Sequence, residues 1–199
     1  MWNSNSGASF EGAPKGVHGA RCIKIIDLGT QKGEYQGQET IRRQNLVTWE
    51  LPDELRDDGK PFTISKFYTA SLGDKANLFQ DLTNWLGDGF YELDGTDRVF
   101  DPKTLLGKAC QVTIVEREKS GKRVVSGVTG VPKSMKVPEP VNDLVYFSLN
   151  KGEFDENVFN DISEGLRKMI VKSPEYEAIY AGTDTAGASG GADDAEIPF

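Results

Sequence analysis

Asp74-Lys75-Ala76-Asn77-Leu78-Phe79-Gln80-Asp81-Leu82-Thr83-Asn84-Trp85-Leu86-Gly87 is the stretch on which the fold turns. Leu78, Leu82 and Trp85 recur at helical spacing, Phe79 and Leu86 flank them, and Gly87 supplies a stop, so the pattern predicts a helix. On both sides the period falls to two. Residues 17–28, 41–51 and 62–69 are β-branched and aromatic runs that predict three strands before the helix. Residues 109–116 alternate cleanly, and 124–131 have the same character, which predicts two strands after it. Residues 94–108 read as irregular.

Parity within the strands predicts their faces. In the second strand Arg43, Asn45, Val47, Trp49 and Leu51 share one side, apolar from Val47 onward and basic at its start. In the third, Phe62, Ile64, Lys66 and Tyr68 share one side and Phe67 takes the other. Trp49 and Trp85 are expected in the core. Residues 52–61 carry four carboxylates, but Asp57-Asp58-Gly59-Lys60-Pro61 spells an ordinary turn. Two connections differ from such turns. Residues 29–38 form a long glycine-rich segment with Lys32 and Tyr35, read as a ligand-facing loop. Residues 117–123, Arg-Glu-Lys-Ser-Gly-Lys-Arg, form a basic hairpin loop.

Strand, strand, strand, helix, strand, strand is the order of an OB-fold, a mostly β, five-stranded Greek-key barrel with its helix between strands three and four. The domain plan is then a flexible arm at 1–16, an OB-fold domain at 17–135, a C-terminal extension at 136–180, and a linker with an acidic tip at 181–199. Within the extension, 144–149 form a short apolar segment, 155–171 read as one helix, and 175–180 add a further turn. No internal repeat is found.

The net charge of −8 over 199 residues argues at first against a nucleic-acid partner. Its distribution reverses that. Six basic against three acidic residues over 15–49 and eight against two over 103–138 leave these two segments positive, and every other segment is negative. OB barrels bind oligonucleotides on the face of strands 2 and 3, between the loops joining strands 1–2 and 4–5. The positive segments hold those two loops, so a basic groove on an acidic body is expected. Single-stranded DNA would be held there without sequence preference, its phosphates tracked by cations and its bases stacked on rings. The phosphate candidates are Lys32, Arg42, Arg43, Lys66, Arg117, Lys119, Lys122 and Arg123. The stacking candidates are Tyr35, Phe62 and Tyr68. Because Phe62 shares its parity with Ile64 and Tyr68, it reads equally as core, and Phe67 would then face the groove.

An enzyme finds little support in the motifs. His18 is the single histidine, and there is no Cys/His zinc spacing, His-Glu-x-x-His, Gly-x-Ser-x-Gly or phosphate-binding Gly-x4-Gly-Lys. No catalytic residue, metal site or cofactor is predicted. A metal-dependent nuclease and an OB-fold protein-interaction adaptor stand as the alternatives. No apolar run reaches the roughly 20 residues that span a bilayer, and the first residues have neither the basic nor the apolar region of a secretory signal, so no membrane partner is expected. Cys22 and Cys110 read as buried free thiols in a reducing cytoplasm, with a disulfide left open.

The chain ends Asp193-Asp194-Ala195-Glu196-Ile197-Pro198-Phe199 after a small, polar tether. This resembles the C-terminal tip of bacterial single-stranded DNA-binding proteins, although Ala195 interrupts the acidic run and Glu196 stands where Asp is usual. The resemblance implies that Asp193, Asp194, Glu196, Ile197, Pro198 and Phe199 dock onto replication or repair proteins. Charge complementarity further suggests that the tip competes with DNA for the basic groove. The body, through Leu46-Val47-Thr48-Trp49-Glu50-Leu51, Phe67-Tyr68-Thr69-Ala70-Ser71-Leu72, Asn77-Leu78 with Leu82 and Trp85, and Leu105-Leu106-Gly107-Lys108-Ala109-Cys110, resembles the single-stranded DNA-binding proteins of tailed bacteriophages over 17–135. That resemblance implies a role in phage DNA replication, recombination and repair in the cytoplasm of an infected bacterium. It leaves a homo-oligomer open and implies no bacterial-style tetramer.

Overall fold

The computed structural model describes residues 12–35 and 37–184; the side chains of Tyr35 and of residues 182–184 are outside the description. The chain runs β1 (Gly16–Tyr35), β2 (Gln38–Leu55), β3 (Pro61–Thr69), α1 (Asn77–Leu86), a short hairpin of β4 (Glu92–Asp94) and β5 (Asp97–Val99), a 3-10 turn at Pro102–Leu105, then β6 (Ala109–Glu116) and β7 (Arg123–Thr129). β8 (Val145–Phe147), α2 (Glu156–Asp161), α3 (Glu164–Ile170) and α4 (Pro174–Asp184) follow. The main sheet has six strands in the order β3-β2-β1-β6-β7, with β8 added to β1 in parallel. The protein is thus mostly β, with one largely antiparallel sheet that does not close on itself and a few helices.

Residues 29–38 are not the expected loop. β1 continues through them, and pairs with β2 from Thr30 opposite Arg43 out to Tyr35 opposite Gln38. A bulge between Asp27 and Thr30 absorbs the glycine. Gly29 sits there at φ +69°, and a Cβ would lie 2.4 Å from the Ser173 side chain, so the start of α4 docks where only glycine leaves room. The other departures are smaller. Residues 94–108 include the β4–β5 hairpin, held to α1 by Arg98, which lies 4.4 Å from the Phe79 ring and 2.6 Å from Asp74. The helix expected over 155–171 is broken into α2 and α3, because buried Ile162 turns into the core with extended backbone.

Two cores use opposite faces of the same strands. Ala20, Cys22, Ile25, Val47, Trp49, Leu51, Phe62, Ile64 and Tyr68 face one core with Leu82, Trp85, Val112, Ile114 and Val128. Ile26, Leu28 and Leu46 face the other, closed by Phe147, Leu149, Phe159, Ile162 and Ile170. Each buried aliphatic or aromatic side chain contributes about 1.5–3 kcal/mol. Cys22 and Cys110 are both buried and free, and desolvation pushes the Cys22 thiol up to about 12.

Polar groups decide where the second core attaches. Glu50 points to the outer face of β2 and is 0% exposed. Its carboxylate accepts from Val141 N at 2.7 Å, Asn142 N at 2.8 Å and Asn142 Nδ2 at 2.5 Å. Asp27 accepts from Gly29 N, Leu149 N and the Arg43 guanidinium. Glu175 of α4 accepts from Thr30 N at 2.8 Å and Thr30 Oγ1 at 2.6 Å. These bonds lay the C-terminal extension across the outer face of β1 and β2, and satisfy carboxylates that would otherwise be costly to bury.

The open seam between β3 and β7 is bridged by α1. Asp81 Oδ2 accepts from Lys66 Nζ and Tyr68 Oη, both at 2.7 Å, while Oδ1 accepts from Val128 N at 3.3 Å. Asn84 O accepts from Gly130 N at 2.9 Å, and a Cβ on Gly130 would come 3.0 Å from Trp85 O. Asp81→Ala removes the acceptor shared by both strands and leaves the half-buried Lys66 ammonium without its partner. The expected loss is about 3 kcal/mol, read by urea unfolding followed through tryptophan fluorescence; a loss below about 0.5 kcal/mol, the range of ordinary surface changes, would remove Asp81 from this role.

The extension is also tied to the 3-10 turn. Lys103, then Ser148 and Asn150, hold the Glu153 carboxyl at about 2, below its ordinary 4.5. A depressed folded value stabilises fully above about pH 4.5 and is lost as pH falls toward 2. Hydrogen-exchange protection of the β8 amides should decline over that interval, and should decline less in Glu153→Gln.

Candidate nucleic-acid interface

With β1 and β2 covered from outside, the free outer surface nearest them is that of β3. Phe62, Ile64 and Tyr68 point inward, and Thr63, Ser65 and Phe67 point outward and are exposed. Ser65 Oγ lies 2.8 Å from Thr48 Oγ1 of the covered neighbour. Phe67 stands opposite Leu46 and is 53% exposed. It is the exposed ring of β3.

A cleft opens at each end of β3. One, of about 840 Å³, is lined by Arg42, Phe67, Thr69, the 71–77 connection and exposed Lys75. The other, of about 950 Å³, is lined by residues 12–14, Glu54, Arg56, residues 62–65 and the β6–β7 turn at 120–123. The sheet register explains the arrangement. Gly16 faces Ile114, so the β6–β7 turn stands at the beginning of β1. The β1–β2 hairpin is at the far end of β1, and Gln44 faces Thr69, which brings that hairpin to the Phe67 end of β3. The β1–β2 and β6–β7 connections therefore do not meet in one groove, contrary to the expectation from the charge pattern. They bracket a strand of nine residues, roughly 30 Å long.

The sequence-predicted residues divide accordingly. Lys32, Arg42, Arg117, Lys119 and Lys122 are exposed and, among the described residues, outside any ion pair. Arg43 is not a free cation: it pairs with buried Asp27, which raises its pKa further, and also donates to Asn150 Oδ1 at 2.9 Å. Lys66 is held by Asp81 at 2.7 Å, and Arg123 pairs with Glu116. Phe62 and Tyr68, read as stacking rings, are core residues at 6% and 4% exposure. Desolvation, reinforced by Asp81, drives the Tyr68 pKa upward and keeps its hydroxyl a donor. The parity shared by Phe62, Ile64 and Tyr68 carried that signal, and the alternative reading of Phe67 is the one that agrees with its exposure. Lys75 was missed because it lies outside both positive segments. The Tyr35 side chain and the tip, Asp193, Asp194, Glu196, Ile197, Pro198 and Phe199, lie outside the described residues, as do residues 1–11 of the arm.

Among the described residues no group of three or more His, Cys, Asp or Glu side chains is arranged to hold a metal ion. His18 is used structurally, with Nδ1 2.9 Å from Glu54 Oε1 and Nε2 3.1 Å from Pro14 O. No helix among them is long and apolar enough to cross a membrane. No protein-family model matches the chain, and no curated protein matches it.

The division between inward and outward rings is open to direct test. Phe62→Ala should cost about 3–5 kcal/mol of stability. Phe67→Ala, on the exposed side of the same strand, should stay within about 0.5 kcal/mol. Parallel denaturant titrations of the two variants measure both.

Proposed function

We propose that this chain is an OB-fold protein that binds single-stranded DNA without sequence preference. It would act in the replication, recombination and repair of a tailed bacteriophage, and recruit partner enzymes through its C-terminal tip. The observation that carries this reading is the layout of the β3 surface: the exposed ring of Phe67 beside Arg42 and Lys75, with Arg117, Lys119 and Lys122 at the other end, all five cations without an ion pair among the described residues. An unpaired strand offers spaced phosphates and open base faces, and this surface offers spaced cations and an open ring face. Duplex DNA has no free base face for Phe67.

The strand order supports the OB assignment. Numbering the long strands β1, β2, β3, β6 and β7 as one to five gives the order 3-2-1-4-5, with α1 between three and four and its polar groups across the seam between three and five. The extension then narrows the usual two-strand binding face to β3 and its flanks. A track of roughly 30 Å suits the lower part of the 4–16 nucleotides that an OB-fold occupies. The tip and its tether supply the recruiting role in this reading, on the resemblance of Asp193-Asp194-Ala195-Glu196-Ile197-Pro198-Phe199 alone.

Binding of fluorescein-labelled oligo-dT across a salt series tests the proposal. Engagement of the six free cations at the two ends of β3 gives a log–log slope of about −4, at 0.7 per phosphate on a single strand. Phe67→Ala should lose about 1–3 kcal/mol, roughly 5- to 150-fold in affinity. A flat salt dependence, or equal affinity for duplex and single strand, would point to the protein-interaction adaptor instead.

A further inference from the structure

Beyond the Phe67 end of β3, on the inner side of the rim of the sheet, lies a pocket of about 260 Å³. Asp27, Arg43 and Asn45, which share strand parity with the core residues Ile25 and Val47, form one wall. Pro102 of the 3-10 turn, with Tyr146 and Asn150 of the extension, forms the other. The parallel pairing of β8 with β1 sets Tyr146 opposite Ile25, so this wall stands only because the extension docks there.

The charges of this pocket are taken up within the protein. Arg43 donates through Nε and Nη2 to Asp27, and through Nη2 to Asn150 Oδ1 at 2.9 Å. Asp27 also accepts from Gly29 N at 3.0 Å and Leu149 N at 3.1 Å. Lys103, 4.7 Å from the centre of the Tyr146 ring, pairs with Glu153. A phosphate entering here would meet no unpaired cation among the lining residues and would lose its hydration uncompensated. What remains is neutral hydrogen-bonding capacity between apolar walls. Arg43 Nη1 takes no part in the bonds above, and the half-buried Asn45 amide makes no hydrogen bond among the described residues. A half-buried amide without a partner is unfavourable, and a ligand carrying donors and acceptors removes that penalty.

The pocket adjoins the β3 track. Arg42 lines the cleft at the Phe67 end and Arg43 lines the pocket; Thr69 lines the cleft and Ala70 the pocket. Each pair is consecutive in the chain, and Ala70 N donates to Arg43 O at 2.8 Å, so a narrow rim separates the two openings. A strand passing Phe67 and crossing this rim brings its next base, or the one after, to the pocket. The volume is below the roughly 300–1,000 Å³ of pockets that take drug-sized ligands, and suits a single flat ring system.

We propose that this pocket receives one nucleobase of the bound strand, turned in over the rim while its sugar and phosphate stay outside near Arg42. The inference rests on the β3 reading and adds a fixed end point to it. Asn45 and Arg43 Nη1 hydrogen-bond the edge of the base, and Pro102 and Tyr146 enclose its faces. An amide offers both a donor and an acceptor and turns to suit its partner, so the pocket admits any of the bases. A base held in this way sets the register of the strand, whereas stacking on Phe67 alone would let it slide.

The test uses the full chain and the shortest oligo-dT that binds with full affinity, with an abasic site placed at each position in turn. Two positions should each lose about fivefold or more. One reports stacking on Phe67 and is erased by Phe67→Ala. The other, nearer one end, reports the pocket. Asn45→Ala should weaken the intact strand by a similar factor, and the abasic site at that end position should then cost nothing further. Ala70→Phe plugs the pocket from an exposed position and so spares the core; it should behave in the same way. Circular dichroism shows whether each variant is folded. A scan with only the Phe67 position sensitive would overturn the inference, as would an end position whose loss persists in Ala70→Phe. Should neither pocket variant bind the intact strand more weakly than the wild type, no base enters and the inference falls. Failure of the wild type to bind any strand would instead overturn the β3 reading, and the role of the pocket with it.

Discussion

One carboxylate carries an unusual share of this architecture. A five-strand path that curls but does not close leaves two edge strands facing each other, with backbone groups that need partners. Here the gap is spanned by α1, and Asp81 on that helix accepts from Lys66 and Tyr68 of β3 and from the backbone of β7. The helix packs Leu82 and Trp85 into the core below. Closure by a side chain rather than by a ladder leaves the edge of β3 partly open. That is where the clefts form, so the device that completes the fold also leaves both ends of β3 open.

The second organising feature is that β1 and β2 are buried on both faces. An antiparallel sheet commonly leaves one face to solvent. Here Ile26, Leu28 and Leu46 are covered by β8 and the helices after it, and Glu50, Asp27 and Glu175 supply the polar anchors. The consequence reaches the surface chemistry. With the outer face of β2 occupied, the outward side chains of β3, Thr63, Ser65 and Phe67, are the ones left exposed beside it.

Much of the frame was legible in the residues. The helix at 77–86 announced itself through Leu78, Leu82 and Trp85, the strand at 109–116 through clean alternation, and those at 61–69 and 123–129 through their β-branched and aromatic residues. Residues 29–38 were misread because glycine and polar residues look alike in a loop and in a two-stranded ribbon. Only the pairing of Thr30 with Arg43, and of Tyr35 with Gln38, distinguishes them. Phe62 and Tyr68 belong to the core and not to a binding face, as their parity with Ile64 already indicates. Arg43 and Lys66 were counted as free because Asp27 and Asp81, which neutralise them, lie 16 and 15 residues away in the chain.

The sequence alone determined the local periods, the alternation of faces and the separation of positive from negative segments, because these depend on neighbours within a few residues. It also determined which rings share a side of β3. Tertiary structure alone decided which cations remain unpaired, since an ion pair joins residues whose distance in the chain carries no pattern. It likewise decided that the outer face of β2 is covered and that the β1–β2 and β6–β7 connections stand at opposite ends of one strand. Register is a relation between segments, and no single segment contains it.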